Sequence, residues 1–186
     1  AVQRWREKGC ETVGAVSHDP MREESFDAIQ GSGARCNGDE IRVSGTSRLI
    51  ESTGATGFPY DRWENERDNH TEFCALSLLT RGVRRFGSAG LDLAWVAAGR
   101  YDFYWEGGLK PWDVAGGALL VSEAGGVVTA SDGAVFSPTG GDAAAAGPSL
   151  HSRLIESLAL ARRAPLNDRR ALAALRPSRD ESERQP

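Results

Sequence analysis

Two segments of the chain hold residue types that could do chemistry. In Arg85-Phe86-Gly87-Ser88-Ala89-Gly90 a strand-like stretch runs into a helix-like one through Gly-Ser. Backbone N–H groups at such a helix start lack intrahelical partners and sit at the positive end of the helix dipole, so they can meet oxygen-rich ligands. The same pattern also suits a Ser cap behind a Gly turn. The second segment is Tyr104-Trp105-Glu106-Gly107-Gly108-Leu109-Lys110-Pro111-Trp112-Asp113. Glu106 ends an aromatic strand, the glycines let the chain reverse, and Asp113 falls in the first turn of the next helix. A carboxylate there stays ionised and can take a hard cation such as Mg²⁺ through oxygen. It can equally serve as an acidic residue that steadies a helix N-terminus.

The elements that must position these groups can be read from pattern. Residues 1–43 read as antiparallel strands, with Gly31-Ser32-Gly33 and Asn37-Gly38 as turns. Asn-Gly suits a two-residue hairpin because both residues tolerate positive φ. Arg48–Ser52 reads as a further strand. A helix is expected from about 62 to 80, with Phe73, Leu76 and Leu79 on one face and Gly82 as its stop. A strand at Val83–Phe86 and a helix from Gly87-Ser88 to Gly99 follow. Next come a strand at Tyr101–Glu106 and a helix from Pro111 to about Glu123. Val127–Thr129, Ala134–Ser137 and Ala143–Ala146 read as short strands, and Ser149 as the cap of a last helix bearing Leu150, Leu154 and Leu158. Helices alternating with strands from 49 onward imply an α/β layer. Residues past about 164 read as a polar tail with one helical turn at Ala171–Leu175.

Composition narrows the function classes. Residues 1–161 carry 15 basic and 22 acidic groups, net −7, and residues 162–186 carry 7 and 4, net +3. An acidic body argues against a nucleic-acid surface, which needs clustered Lys and Arg. No apolar run approaches the ~18 residues of a membrane span. Cys10, Cys36 and Cys74, with His18, His70 and His151, are scattered without zinc spacing, and three cysteines fit a reducing cytoplasm. The 22 glycines exceed the roughly 13 that average usage predicts, and they punctuate turns and helix starts.

Trp112-Asp113-Val114-Ala115-Gly116-Gly117, followed by Ser122-Glu123-Ala124-Gly125-Gly126, resembles the C-terminal signature of the inositol monophosphatase family. Thr56-Gly57-Phe58-Pro59-Tyr60, Arg84-Arg85-Phe86-Gly87-Ser88-Ala89 and Leu91-Asp92-Leu93-Ala94 are similar to bacterial members. So are His18-Asp19-Pro20 with Glu23 to Phe26, and Asn37-Gly38. The resemblance covers about residues 1–160. It implies an α/β chain, α+β in its N-terminal part, of the layered sugar-phosphatase type. Residues 1–48 would end an antiparallel sheet layer, 49–164 would form the α/β layer, and 165–186 a disordered tail.

The resemblance further implies a cytoplasmic, Mg²⁺-dependent, Li⁺-sensitive phosphomonoesterase, dimeric when full-length, acting on a small phosphorylated polyol. By matching position Asp113 would bind metal and substrate. Gly87, Ser88 and Ala89 would face substrate hydroxyls, and Glu106 would accept a hydrogen bond from another. The family's Asp-Pro-(Ile/Leu)-Asp-Gly-Thr motif and the Glu upstream of it have no counterpart in these residues and would precede residue 1. Asp19-Pro20 lacks the second Asp and the Gly-Thr, and reads as a hairpin connection. The chain is thus expected to be an N-terminally truncated portion with little activity alone and no catalytic residue of that motif. Myo-inositol monophosphate is the expected substrate. Histidinol phosphate, fructose 1,6-bisphosphate and 3′-phosphonucleotides are the rivals, with a non-catalytic, partner-binding remnant as the alternative of another class.

Overall fold

The computed structural model describes residues 1–6, 9–64 and 67–163 of the 186. The expected tail and its turn at Ala171–Leu175 lie outside the described residues. The N-terminal strands β1 (Val2–Arg6), β2 (Gly9–Asp19), β3 (Glu24–Ile29), β4 (Ala34–Cys36) and β5 (Asp39–Ile41) form an antiparallel meander in chain order. Asn37 and Gly38 make the β4–β5 turn with φ of 50° and 89°, as the Asn-Gly pair predicts. Asp19 closes the β2–β3 hairpin. It accepts from the Met21 and Arg22 N–H groups and pairs with the Arg22 guanidinium at 2.8 Å.

The second sheet has the order β7-β6-β8-β10-β9, built from β6 (Thr53–Thr56), β7 (Gly82–Arg84), β8 (Phe103–Gly107), β9 (Val127–Thr129) and β10 (Asp142–Ala146). β6 runs parallel to β7 and β8, while β10 is antiparallel to β8 and β9. Helices α2 (Ala89–Ala97) and α3 (Pro111–Glu123) lie between the two sheets. Helices α1 (His70–Leu79) and α4 (Pro148–Ala161) cover the far face of the second sheet. This is the layered α/β arrangement the sequence implies.

Alternation along the central strands assigns the layers. Tyr104, Ala143 and Ala145 join the core around α2 and α3, whereas Phe103, Trp105, Ala144 and Ala146 join the core around α1 and α4. All four alanines of β10 are fully buried. Their small side chains let helices approach both faces.

Several boundaries differ from the sequence-based expectation. Arg48–Ser52 is not a strand: residues 49–51 form a short 3₁₀ turn, and the strand begins at Thr53, pinned where its N–H donates to Asp102 at 2.7 Å. Helix α1 begins at His70 rather than near 62, because Asn69 takes a left-handed conformation at φ 69° that an α-helix cannot continue. It ends at a Thr80 cap, and Gly82 opens β7 instead. β7 stops at Arg84 and β8 starts at Phe103. Ala134–Ser137 yields only an isolated bridge from Val135 to Thr129. Gly147, not Ser149, caps α4, with Pro148 in the first turn where a missing N–H costs nothing.

The meander is fastened to the helices by a side chain. The Glu123 carboxylate at the end of α3 accepts from the Gly31 N–H at 2.8 Å and the Gly33 N–H at 2.9 Å. Both glycines have positive φ, which turns their N–H groups toward the same acceptor. Bonds to a charged acceptor contribute about 1.5–3 kcal/mol each when sheltered and less when half-exposed, as here. Glu123→Ala is therefore expected to lower the unfolding free energy by about 1–3 kcal/mol. Urea denaturation monitored by tryptophan fluorescence measures this, and Glu123→Gln should show an intermediate loss.

Candidate active site

The candidate residues are carried to one region by helix packing. Gly87 (φ 87°) ends the segment after β7, Ser88 is extended, and α2 starts at Ala89. The Ser88 carbonyl accepts from the Asp92 N–H at 2.9 Å, but its hydroxyl makes no capping bond. The plain Ser-cap reading of this segment is thus not what the side chain does. The first N–H groups of α2 are left with no intrahelical acceptor.

Asp113 sits at the third position of α3, half-buried. Its Oδ2 accepts from the Lys110 N–H at 2.9 Å while its own N–H donates to the Lys110 carbonyl at 2.9 Å, a reciprocal closure of the helix start. The two helix starts are close. A Cβ on Gly90 would stand 3.8 Å from the Asp113 carbonyl oxygen. One turn further along α3, a Cβ on Gly117 would come within 2.6 Å of Leu93 Cβ. Glycine at 117 is what allows α2 and α3 to approach so closely.

Glu106 completes the group from β8. Its side chain lies against Gly57, where an added Cβ would overlap the carboxylate. The Tyr104 hydroxyl donates to Glu106 Oε2 at 2.6 Å. Burial pushes the Glu106 carboxyl up; the Tyr104 bond and the Arg85 charge pull it down, and the charge of Asp113 adds to the rise. Burial, then the same carboxylate, holds the Tyr104 phenol well above its ordinary range, so it remains a donor. Glu106 thus feels the charges of Arg85, just before Gly87, and of Asp113.

Four further residues shape this region: Arg85 and Tyr104 from the two segments, and Gly57 and Asp92 from stretches similar to the family's, none of them given a role from sequence. Asp92 lies on α2, only 1 % exposed, and neither carboxylate oxygen has a hydrogen-bond partner. Burial first, then the Glu106 charge, pushes its carboxyl up to about 7, against the pull of Arg85. A lone Asp among Leu91, Leu93, Ala94 and Trp95 was the available signal.

The described residues do not by themselves make a Mg²⁺ site. Among them no group of three or more His, Cys, Asp or Glu side chains is arranged to hold a metal ion. Asp113 Oδ2 is already engaged by a backbone N–H. Mg²⁺ takes six oxygens in near-octahedral order, usually with one or two carboxylates among them. On the α1/α4 side of β8, a polar cleft of about 230 Å³ whose lining includes Asn69, Trp105 and Glu106 also holds Arg162, paired with Glu72 at 2.8 Å and bonded to Ser131, which in turn bonds Asp142.

Comparison with known proteins gives concordant matches. The chain matches the Inositol monophosphatase family over residues 7–163. It is 46% identical over 148 residues to an inositol-1-monophosphatase of Synechocystis, covering 80% of this chain and 51% of that protein. It is 49% identical over 126 residues to the Nus factor SuhB of Pseudomonas aeruginosa, covering 64% and 46%. Among solved structures, an inositol monophosphatase from Anabaena superposes with a TM-score of 0.78 at 47% identity, covering 82% of this chain and 61% of that one. The Thermotoga maritima IMPase gives 0.74 at 33% identity, covering 82% and 58%. The chain spans about half the length of the curated relatives it matches.

The buried acid carries a pH signature. An unfolded Asp ionises near 3.8, whereas Asp92 in the fold does so near 7. Between these values the unfolded chain releases a proton that the folded chain keeps, so stability falls as pH rises from about 4 to 7 and levels off above. Asp92→Asn lacks this proton. Its stability relative to wild type should rise across that window by roughly 2–4 kcal/mol. Denaturant melts of both proteins at several pH values measure it; a difference independent of pH would show that Asp92 ionises normally when folded.

Proposed function

The chain belongs to the inositol monophosphatase family, and from that premise we propose that it supplies the substrate-hydroxyl side of a phosphomonoesterase acting on a small phosphorylated polyol. The observation that supports this reading most is the convergence of the α2 start, Glu106 and the α3 start bearing Asp113. The Gly87, Ser88 and Ala89 segment at the α2 start would meet substrate hydroxyls. Glu106, held by the Tyr104 donor, keeps lone pairs for a substrate hydroxyl. That division of donors and acceptor suits a ring bearing several hydroxyls, so myo-inositol monophosphate is the proposed substrate. Histidinol phosphate, fructose 1,6-bisphosphate and 3′-phosphonucleotides are the competing esters.

Mg²⁺ is the proposed cofactor of the whole protein, with Asp113 the carboxylate this chain would contribute to it. Such ions activate water and neutralise charge on phosphate and leaving oxygen. The division into 1–48 and 49–164, a homodimer and a cytoplasmic location belong to the same proposal. No helix among the described residues is long and apolar enough to cross a membrane. The acidic body, net −7 over residues 1–161, disfavours nucleic acid. A second reading, a partner-binding role without turnover, takes its support from relatives named Nus factor SuhB.

Phosphate release from myo-inositol 1-phosphate in the presence of Mg²⁺ tests the proposal. The whole protein is expected to turn over, and Asp113→Asn to reduce kcat/KM at least about a hundredfold. The 186-residue chain alone should release no phosphate. Turnover by that chain, abolished in Asp113→Asn, would overturn its assignment as a partial site. Absence of turnover by the whole protein on all four esters would favour the partner-binding reading.

A further inference from the structure

A buried polar brace stands directly behind Glu106. Asn69, 5 % exposed, takes a left-handed conformation (φ 69°, ψ 5°) just before α1. Its Nδ2 donates to Thr56 Oγ1 at 2.8 Å and to the Gly57 carbonyl at 2.6 Å. Its Oδ1 accepts from the Trp105 indole N–H at 2.6 Å. Thr56 Oγ1 in turn donates to the Trp105 carbonyl. The amide orientation is set by the partners, two oxygens facing the nitrogen and an N–H facing the oxygen.

The brace ties the C-terminal ends of β6 and β8, at the residues adjoining the site. Thr56 precedes Gly57, and Trp105 precedes Glu106. Side chains alternate across a strand, so gripping the Trp105 ring and carbonyl on one face fixes where Glu106 departs on the other. Gly57, held through its carbonyl, is the surface on which the Glu106 carboxylate rests, with no space for a Cβ between them. Asn69 thus controls both the strand that presents the carboxylate and the floor beneath it. Its side-chain hydrogen bonds go to Thr56, Gly57 and Trp105 and not to Glu106 itself. The left-handed conformation is one that Asn adopts readily, and it turns the side chain toward these partners.

We propose that Asn69 is the positioning residue for Glu106, acting through Trp105 and Gly57, and thereby determines which hydroxyl of a phosphorylated polyol the site accepts. The inference rests on the substrate role given to Glu106 under the proposed function. A carboxylate that drifts loses a hydroxyl contact, while an ester with no hydroxyl in that place has none to lose.

The test uses the full-length protein with two esters, myo-inositol 1-phosphate and p-nitrophenyl phosphate. Asn69→Gly keeps the left-handed backbone without strain and removes only the brace. It is expected to lower the ratio of kcat/KM for the inositol ester over the nitrophenyl ester about tenfold, chiefly through KM. Combining it with Glu106→Gln should lower that ratio no further than Glu106→Gln does alone. Equal losses on both esters, or additive losses in the double variant, would overturn the proposal by showing a merely structural role. Should Asn69→Gly fail to fold, Trp105→Phe keeps a buried ring and strips the indole donor. A shift of the ratio in the same direction supports the proposal, and an unchanged ratio overturns it. If wild type hydrolyses neither ester, the phosphatase reading has failed, and crystal structures of wild type and the two variants decide the inference alone. A Glu106 carboxylate displaced from Gly57 supports it; one left in place overturns it.

Discussion

Strand β8 must be buried on both faces at once, and the rest of the fold follows from that constraint. Its alternation sends Phe103 and Trp105 toward α1 and α4, and Tyr104 and Glu106 toward α2 and α3. An apolar side chain can meet this demand by packing alone, but the polar groups cannot. Every polar atom on this strand that leaves water needs a partner, since an unmet one costs roughly 1–3 kcal/mol. The Trp105 indole finds Asn69, the Tyr104 hydroxyl finds Glu106, and Glu106 rests on Gly57. The candidate site is where that chain of obligations reaches the surface.

Asp92, like the Trp95 indole N–H on the same helix, is an exception to that rule. Its carboxyl shares the neighbourhood of Glu106 and Arg85 yet bonds to nothing. Burial first, then the Glu106 charge, keeps the Asp92 carboxyl from ionising until about pH 7. Helix starts partly offset this: α2 and α3 both direct their positive ends toward the same region.

Much of this was legible in the sequence. Pro111 followed by Asp113 located the start of α3 to the residue, Asn37-Gly38 located its hairpin, and the family signature located the layered α/β fold. The failures share a cause. Asn69 was hidden because it lies within the stretch from about 62 to 80 read as one helix; its partners Thr56, Gly57 and Trp105 are far from it in sequence. Ser149 looked like a cap by type, yet Gly147 with Pro148 took the position. Gly57 and Asp92 lie in stretches similar to the family's, but nothing local marks what each does. Their significance comes from what stands opposite, Glu106 in both cases, and opposition across a sheet or between layers is not written in spacing.

The clasp between Glu123 and the Gly31–Gly33 turn joins residues 92 and 90 positions apart. During synthesis at about 5–20 residues per second, the turn precedes its acceptor by roughly 5–20 s. For that interval the meander can pair its strands, but the amides of its turn have only water to bond, and the face destined for α3 has no helix against it. The meander therefore emerges before α3 and is completed late. Until α3 arrives, the apolar face bearing Ala15, Phe26 and Ala28 stays open to water.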